Sequence, residues 1–295
     1  MDWLTKFPQM DGALLRELNK SIDGAFRGFT RAWGDTIEAF FEPLRLFLVH
    51  SEQFMTRTPW IVIFLLIVAI SWFCTRNWRI TLGGAVILLL IGYFGMWEDT
   101  MKTISMIFVC TVISLVVGIP LGIAMARWNR MQAIVNPILD VMQTLPSFVY
   151  LIPVVMLLGI GKVPGLIAVV IYAMPPIIRL TNLGIRLVDR DMLEAADAFG
   201  SSSWQKLKNV QLPLALPTIM AGINQTIMMA LAMVVIASMI GVQGLGQPVL
   251  RAISNQYFSL GMFNGFAIVG IAIIFDRVSQ AFGKRLQKHS EVVHG

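Results

Sequence analysis

Charge and cysteine are what this 295-residue chain has least of. Charged residues make up 14% of it, against about 25% in soluble domains. The two cysteines, Cys74 and Cys110, both fall inside apolar runs, so no disulfide framework is expected and no compartment can be read from them. His50, His289 and His294 are scattered and lack metal-ligand spacing. No G-x-x-x-x-G-K-[ST] phosphate loop occurs, so the chain is not itself a P-loop ATPase. No acid lies deep in an apolar run. Asp140 and Asp276 fall toward cytoplasmic ends, as does Arg179, which weighs against a proton-driven carrier. A sodium-coupled carrier that uses backbone carbonyls stays open. No Ser-His-Asp, Cys-His or paired-carboxylate arrangement points to an enzyme. Residues 1–21 are polar, with no cationic start leading into an apolar core, which argues against a cleaved signal peptide.

What is abundant is apolar. Hydrophobic residues reach 56% and the mean hydropathy is +0.72. The apolar runs are continuous, whereas a transmembrane barrel needs alternating strands of about ten residues. The expectation is an all-α integral membrane protein, one helical bundle with spans at 59–75, 80–97, 101–126, 138–160, 163–181, 213–240 and 258–283. The two first spans are close to the minimum length for crossing. Gly118, Pro120 and Gly122 interrupt the third, Pro146 and Pro153 lie inside the fourth, and Pro175-Pro176 closes the fifth. Broken helices are tolerated only where protein or a cavity re-satisfies the backbone, so the stretch 118–176 is expected in a packed or cavity-lining core.

Basic residues alternate from loop to loop. Arg76 and Arg79, Arg127 and Arg130, then Arg186, Arg190, Lys206 and Lys208, and finally Lys284, Arg285 and Lys288 fall on one side, while the other side holds only Lys102, Lys162 and Arg251. The positive-inside rule puts the first set in the cytoplasm, with the C-terminus there and the N-terminus outside. This also explains the net charge of +6 better than nucleic acid does. Before the first span, Ile22, Phe26, Phe29, Trp33, Ile37, Phe40, Leu44 and Phe47 share a helical face. That pattern suits a helix lying on the membrane interface or packed on the bundle. Gly24, Gly28, Gly34 and Pro43 weaken it. The Gly-rich loop 241–257 does not follow a strand, so its glycines make a turn or a short re-entrant element, not a nucleotide fingerprint.

The polar stretch EAADAFGSSSWQKLKNVQLP, 194–213, is capped like two short helices. Asp191 is expected to cap the first, with Glu194 reaching back, and Gly200 to end it in the left-handed conformation. Ser202 and Gln205 repeat the box, and the second helix is expected to run to about Val210, before Pro213. Mild polar groups also occur within spans: Gln143, Thr144 and Ser147 around Pro146, and Asn224, Gln225 and Thr226 in the sixth. They either bond between helices or line a path for a small polar solute. Met228 and Met239 nearby fill the core or form an adaptable gate.

The order Glu194-Ala195-Ala196, then Gly200, then Leu212-Pro213 resembles the EAA loop of ABC importer permeases. The strings at 139–165, 174–185 and 212–241, with GIPLGIAMAR and GLGQPVLR, resemble the permease of glycine betaine/proline betaine importers, over roughly 60–290. The resemblance implies a type I importer (MetI-like) permease fold of about seven transmembrane helices in a bacterial cytoplasmic (inner) membrane. It divides the chain into an extracytoplasmic extension (1–58), a permease domain (59–289) with a coupling loop (186–213), and a cytoplasmic tail (290–295). It implies a non-catalytic subunit that needs no cofactor of its own. ATP and Mg would serve a separate ATPase, present in two copies. Two permease copies form the channel in lipid, and a periplasmic or surface binding protein delivers the solute. Glu194, Ala195, Ala196, Asp197, Gly200, Leu212 and Pro213 would couple the ATPase to the spans. Gln143, Thr144, Tyr150, Asn224, Gln225, Met228 and Met239 are candidates for the path or gate. Choline or carnitine is the alternative cargo, and a stand-alone ion-coupled carrier the alternative class.

Overall fold

The computed structural model describes residue 7 and residues 9–294, with side chains through residue 285, and every long element in that range is a helix. Residues 1–6, 8 and 295, and the side chains of Lys288, His289 and His294, lie outside the described residues.

Helix α1 (Gly12–Arg57) begins where Asp11 accepts from the Ala13 amide at 3.3 Å. It runs unbroken through Gly24, Gly28, Gly34 and Pro43. Tertiary packing offsets the weak positions Gly34 and Pro43, whereas Gly24 and Gly28 meet nothing within 4 Å. Leu48 is fully buried, Ser105 bonds Ser51 at 3.1 Å, and α1 packs along α4, α6 and α7. Ile22, Phe29, Trp33 and Phe40 stay exposed. The stretch from about Gly34 onward therefore seats on the bundle, and the N-terminal half presents its apolar stripe outward.

The chain bends by 110° into α2 (Trp60–Thr75). Arg76, at φ 49°, and Asn77, whose side chain accepts from the Arg79 amide at 3.0 Å, make the turn into α3 (Trp78–Tyr93). Each of these helices has 16 residues, so each is about 24 Å long at about 1.5 Å per residue, short of the ~30 Å hydrocarbon core. Next come α4 (Trp97–Arg127), α5 (Asn129–Thr144), a 3₁₀ turn (Ser147–Tyr150), α6 (Leu151–Leu158), α7 (Lys162–Ala173) and α8 (Pro175–Arg186). After the short helices α9 (Arg190–Ala198) and α10 (Ser203–Lys206) come α11 (Leu212–Ala237), α12 (Gly246–Asn255) and α13 (Phe258–His294). Among the described residues, four helical stretches are long and apolar enough to span a bilayer, and two bent pairs raise that to six. The remaining apolar segment is α3.

Helices α4, α8 and α11 form the centre, and small residues let them meet. A Cβ on Gly122 would stand 2.7 Å from the Ile178 carbonyl, and one on Gly118 2.5 Å from Ile177. Gly184 and Gly222 do the same between α8 and α11. Such close approach is how helices associate where lipid removes the hydrophobic drive. Of the stretch expected to be core, Gly118, Gly122 and Pro175-Pro176 are buried, whereas most of 128–160, Pro146 and Pro153 included, is exposed or half-buried. Two further corrections concern the spans. Pro120 does not interrupt α4, which is one continuous helix of 31 residues. The 138–160 segment is not one straight span: α5 starts earlier, at Asn129, and α5 and α6 meet at 108° across Leu145-Pro146. Pro146 forces that break because it disfavours helix at the residue before it, and Leu145 is accordingly extended at ψ 133°.

Candidate functional site

Arg186 holds the entrance of the 194–213 segment. Its Nη2 donates to the Met125 carbonyl and to Asn129 Oδ1, both at 2.8 Å, and its Nε to Asn182 Oδ1 at 3.0 Å. The first short helix starts two residues earlier than Asp191 suggested. Asp189 is the cap, accepting from the Asp191 amide at 3.1 Å. Asp191 sits inside the first turn, where its charge still favours the helix dipole. At the far end Gly200 has φ +76°. Its amide donates to Asp197 O at 2.9 Å and that of Ser201 to Ala196 O at 3.0 Å, the paired closure of a Schellman motif.

Ser202 and Gln205 form a reciprocal capping box, at 2.8 and 3.3 Å. The second helix does not stop before Pro213. It passes through a π-turn at Leu207–Gln211, with the Leu212 amide on the Leu207 carbonyl, straight into α11. The wider turn accommodates Pro213, which has no N–H for an ordinary i→i−4 bond. Leu212 and Pro213 are therefore helical residues at the root of a span. Lys206 Nζ bridges back to both carboxylate oxygens of Asp197, at 2.6 and 2.7 Å.

Glu194 and Ala195 are exposed and Ala196 is buried. Around them stand large apolar side chains that sequence reading missed: Leu187, Met192, Trp204 and Phe199, the last 91% exposed. Their signal was faint, being apolar residues in an otherwise polar segment. Large apolar groups left exposed along one short polar segment are candidates for an interaction surface.

The candidate path residues do not converge. Asn224 turns toward α13, donating to Asp276 Oδ1 at 3.0 Å and accepting from Ser279 at 2.5 Å. It bonds between helices. Gln225 is exposed, and Leu214, Pro217, Ala221 and Ala232 are exposed along the same side of α11, with Met228 half-buried there and Met239 exposed in the 3₁₀ turn that follows. Spacings of three, four and seven place them on one open face. Gln143 and Thr144 are exposed at the α5–α6 break, where Thr144 bonds Asp140 O at 2.9 Å. Tyr150 is buried, its hydroxyl on the Met142 carbonyl and its ring against Tyr172. It braces the break, and the turn that carries it packs on α11.

At the opposite end of the bundle another turn is tightly held. The Gly161 amide donates to the Ile240 carbonyl at 3.0 Å, and the Leu245 amide to Thr103 Oγ1 at 2.9 Å. Lys162 Nζ meets both oxygens of Glu52 on α1, at 2.7 and 2.8 Å. The loop 241–257 is a turn with Gly241 and Gly244 at positive φ, leading into α12. Among the described residues, no group of three His, Cys, Asp or Glu is placed to hold a metal ion.

Residues 118–288 match the family model described as the binding-protein-dependent transport system inner membrane component. The chain is 46% identical over 276 residues to the glycine betaine/carnitine transport permease protein GbuB of Listeria monocytogenes, covering 91% of this chain and 94% of that one. It is 51% identical over 222 residues to the glycine betaine/proline betaine transport system permease protein ProW of Escherichia coli, covering 74% of this chain and 63% of that longer one. Among solved structures, the MetNI methionine ABC transporter in an inward-facing conformation superposes with a TM-score of 0.55 at 20% identity, over 64% of this chain and 93% of that one. That likeness gives the fold, the type I permease bundle.

Proposed function

The chain belongs to the binding-protein-dependent transport system inner membrane component family, and from that premise we propose that it is the permease subunit of an ATP-driven importer of glycine betaine and proline betaine. It is a multi-pass membrane protein and a non-catalytic component of its transporter. Its energy comes from a separate ATPase. The observation that carries this reading is the 194–213 segment, a capped, ion-paired helical turn that exposes Phe199 and Trp204 and continues without a break into α11.

Glu194, Ala195 and Ala196 form the short helix that enters the ATPase groove. Asp197 and Gly200 fix its angle to α10. Leu212 and Pro213 pass the motion to α11. Two ATPase copies serve two permease copies, which face each other across the open side of α11, so that Gln225, Met228 and Met239 line the route between them. Gln143 and Thr144 join that route from the α5–α6 break. The Glu52–Lys162 end is extracytoplasmic, where a binding protein delivers solute, and the N-terminal extension lies there on the membrane surface. The basic end carrying Arg76, Arg127 and the C-terminus is cytoplasmic, in accord with the charge asymmetry.

Carnitine is the alternative cargo, favoured by the name of the Listeria relative. Uptake of labelled solute into vesicles holding this chain decides the matter. Transport should require the ATPase, ATP and a binding protein, and betaine should compete better than carnitine or choline. Uptake by this chain alone, driven by an ion gradient, would replace the importer with a secondary carrier.

A further inference from the structure

A groove runs along the outside of the bundle between α3 and α13, and it changes character along its length. At the basic end it opens as a cleft of ≈ 550 Å³ ringed by Arg76, Arg277, Lys284 and Arg285. Above Ile80 and Arg277 it continues as a slot of ≈ 370 Å³ lined by Ile80, Gly83, Gly84, Ile87, Ile273 and Ile274. Beyond Ile87 and Ile273 it goes on between Leu90 and Phe266. We infer that this groove binds one anionic glycerophospholipid, its phosphate among Arg76, Arg277 and Lys284 and an acyl chain along the α3–α13 slot.

Four observations carry this. First, the cations are unspent: among the described residues, none of Arg76, Arg79, Arg277 and Lys284 forms a salt bridge. The adjacent carboxylate, Asp276, is engaged by Asn224 and Gln280 instead. Arg285 donates to the Phe73 carbonyl and fixes the mouth by tying α13 to α2. Basic pockets between membrane helices on the cytoplasmic side are where anionic headgroups bind.

Second, the slot is shaped by missing side chains. A Cβ on Gly83 would meet nothing within 4 Å, so that position opens onto free space, whereas Gly270 and Gly84 let the helices close beneath. Third, Ser71 is 6% exposed, its hydroxyl has no hydrogen-bond partner among the described residues, and it borders the slot. A buried hydroxyl without a partner is costly, and a glycerol ester oxygen would accept from it. Fourth, Phe73 and Trp78 flank the mouth, exposed, with the Arg76 and Arg79 guanidiniums 5.9 and 5.8 Å from their ring centroids. Aromatic rings at this level are the usual anchors of the headgroup region.

The test is native mass spectrometry of the purified full-length permease, stripped of lipid in detergent and titrated with phosphatidylglycerol, phosphatidylcholine or soluble glycerol phosphate. Phosphatidylglycerol should bind in one tight copy and the other two should not. The triple variant Arg76→Gln, Arg277→Gln, Lys284→Gln should weaken that binding by roughly a hundredfold. Arg76→Lys with Arg277→Lys should retain it, and Gly83→Trp should abolish it while every charge stays in place. Replacing Arg130 and Lys208, basic residues away from the groove, should change nothing. Monodisperse elution of each variant separates lost binding from lost folding. Equal retention in the triple variant and in Gly83→Trp, or tight binding of glycerol phosphate alone, would overturn the site. So would cross-linking of a Gly83→Cys variant between two copies, which would give the groove to a second permease. None of these readouts requires transport, so the lipid site and the importer reading fail separately.

Discussion

Lys206 grips Asp197 across the Gly200 turn, with both carboxylate oxygens within 2.7 Å of its ammonium. The pair sets the angle between α9 and α10. Its side chains are 24% and 56% exposed, so its worth to overall stability is small, about 0–1 kcal/mol. Its effect should instead fall on coupling. Asp197→Asn or Lys206→Met should leave the protein folded but lower solute moved per ATP hydrolysed in vesicles. The exchanged pair, Asp197→Lys with Lys206→Asp, should recover part of it. An unchanged ratio in both single variants would make the pair ornamental.

Gly200 has open space around a hypothetical Cβ but a φ of +76°. Within this chain the barrier to substitution is thus the backbone and not bulk. Gly200→Val should cost about 1–2 kcal/mol locally and release the ATPase on copurification. Gly200→Asn, which tolerates the left-handed region, should hold on to it. Equal recovery of the ATPase with both would contradict this.

Phe199 and Trp204 are the largest exposed apolar groups on the turn. If they seat in the ATPase, each alanine replacement should weaken the complex by about 2 kcal/mol or more, read as a shift in the concentration needed to reassemble it. Melting of the isolated permease should not move.

Gly122 lies against the Ile178 carbonyl, which cannot step aside as a side chain can. Gly122→Leu should push α4 off α8 at a cost of about 1–3 kcal/mol, seen as a lower melting temperature. Gly24→Leu, in the exposed half of α1, should not lower it. Matching thermal stabilities would mean the helix contact is looser than 2.7 Å implies.

Lys162 and Glu52 tie α1 to the α6–α7 turn, with Glu52 only 16% exposed. Lys162→Met leaves that carboxylate unpaired and should destabilise by about 1–3 kcal/mol. Adding Glu52→Gln should restore most of the loss, because the penalty is the stranded charge. A double variant as unstable as the single one would refute that account.

Local chemistry was the readable part of this sequence. The Ser202–Gln205 box and the Gly200 turn follow from residues a few positions apart, and the structure forms both. The cap at Asp189 was missed because two aspartates two residues apart offer the same signal. Periodicity found α1 but not which half would touch the bundle, since Leu48 and Trp33 are equally apolar and only the partner surface separates their fates. Asn224 and Gln225 read as one polar step, yet about 100° of helical rotation sends one to Asp276 and leaves the other open. Arg186 could not be singled out, because Met125 and Asn129 are distant in sequence.

From Ser203 to Ile240 the chain is one helical stretch of 38 residues, about 57 Å at about 1.5 Å per residue. Its base is the π-turn beside Lys206, and its tip is the Ile240 carbonyl that accepts from Gly161. Such a rod works as a lever. A tilt of about 10° at the base, held stiff along the helix, sweeps the tip by about 10 Å. A single hydrogen bond of 3.0 Å at Gly161 cannot survive that excursion. On the proposed function, a push on the near turn would thus reach the far turn through this rod, and the far turn would open or shut with it.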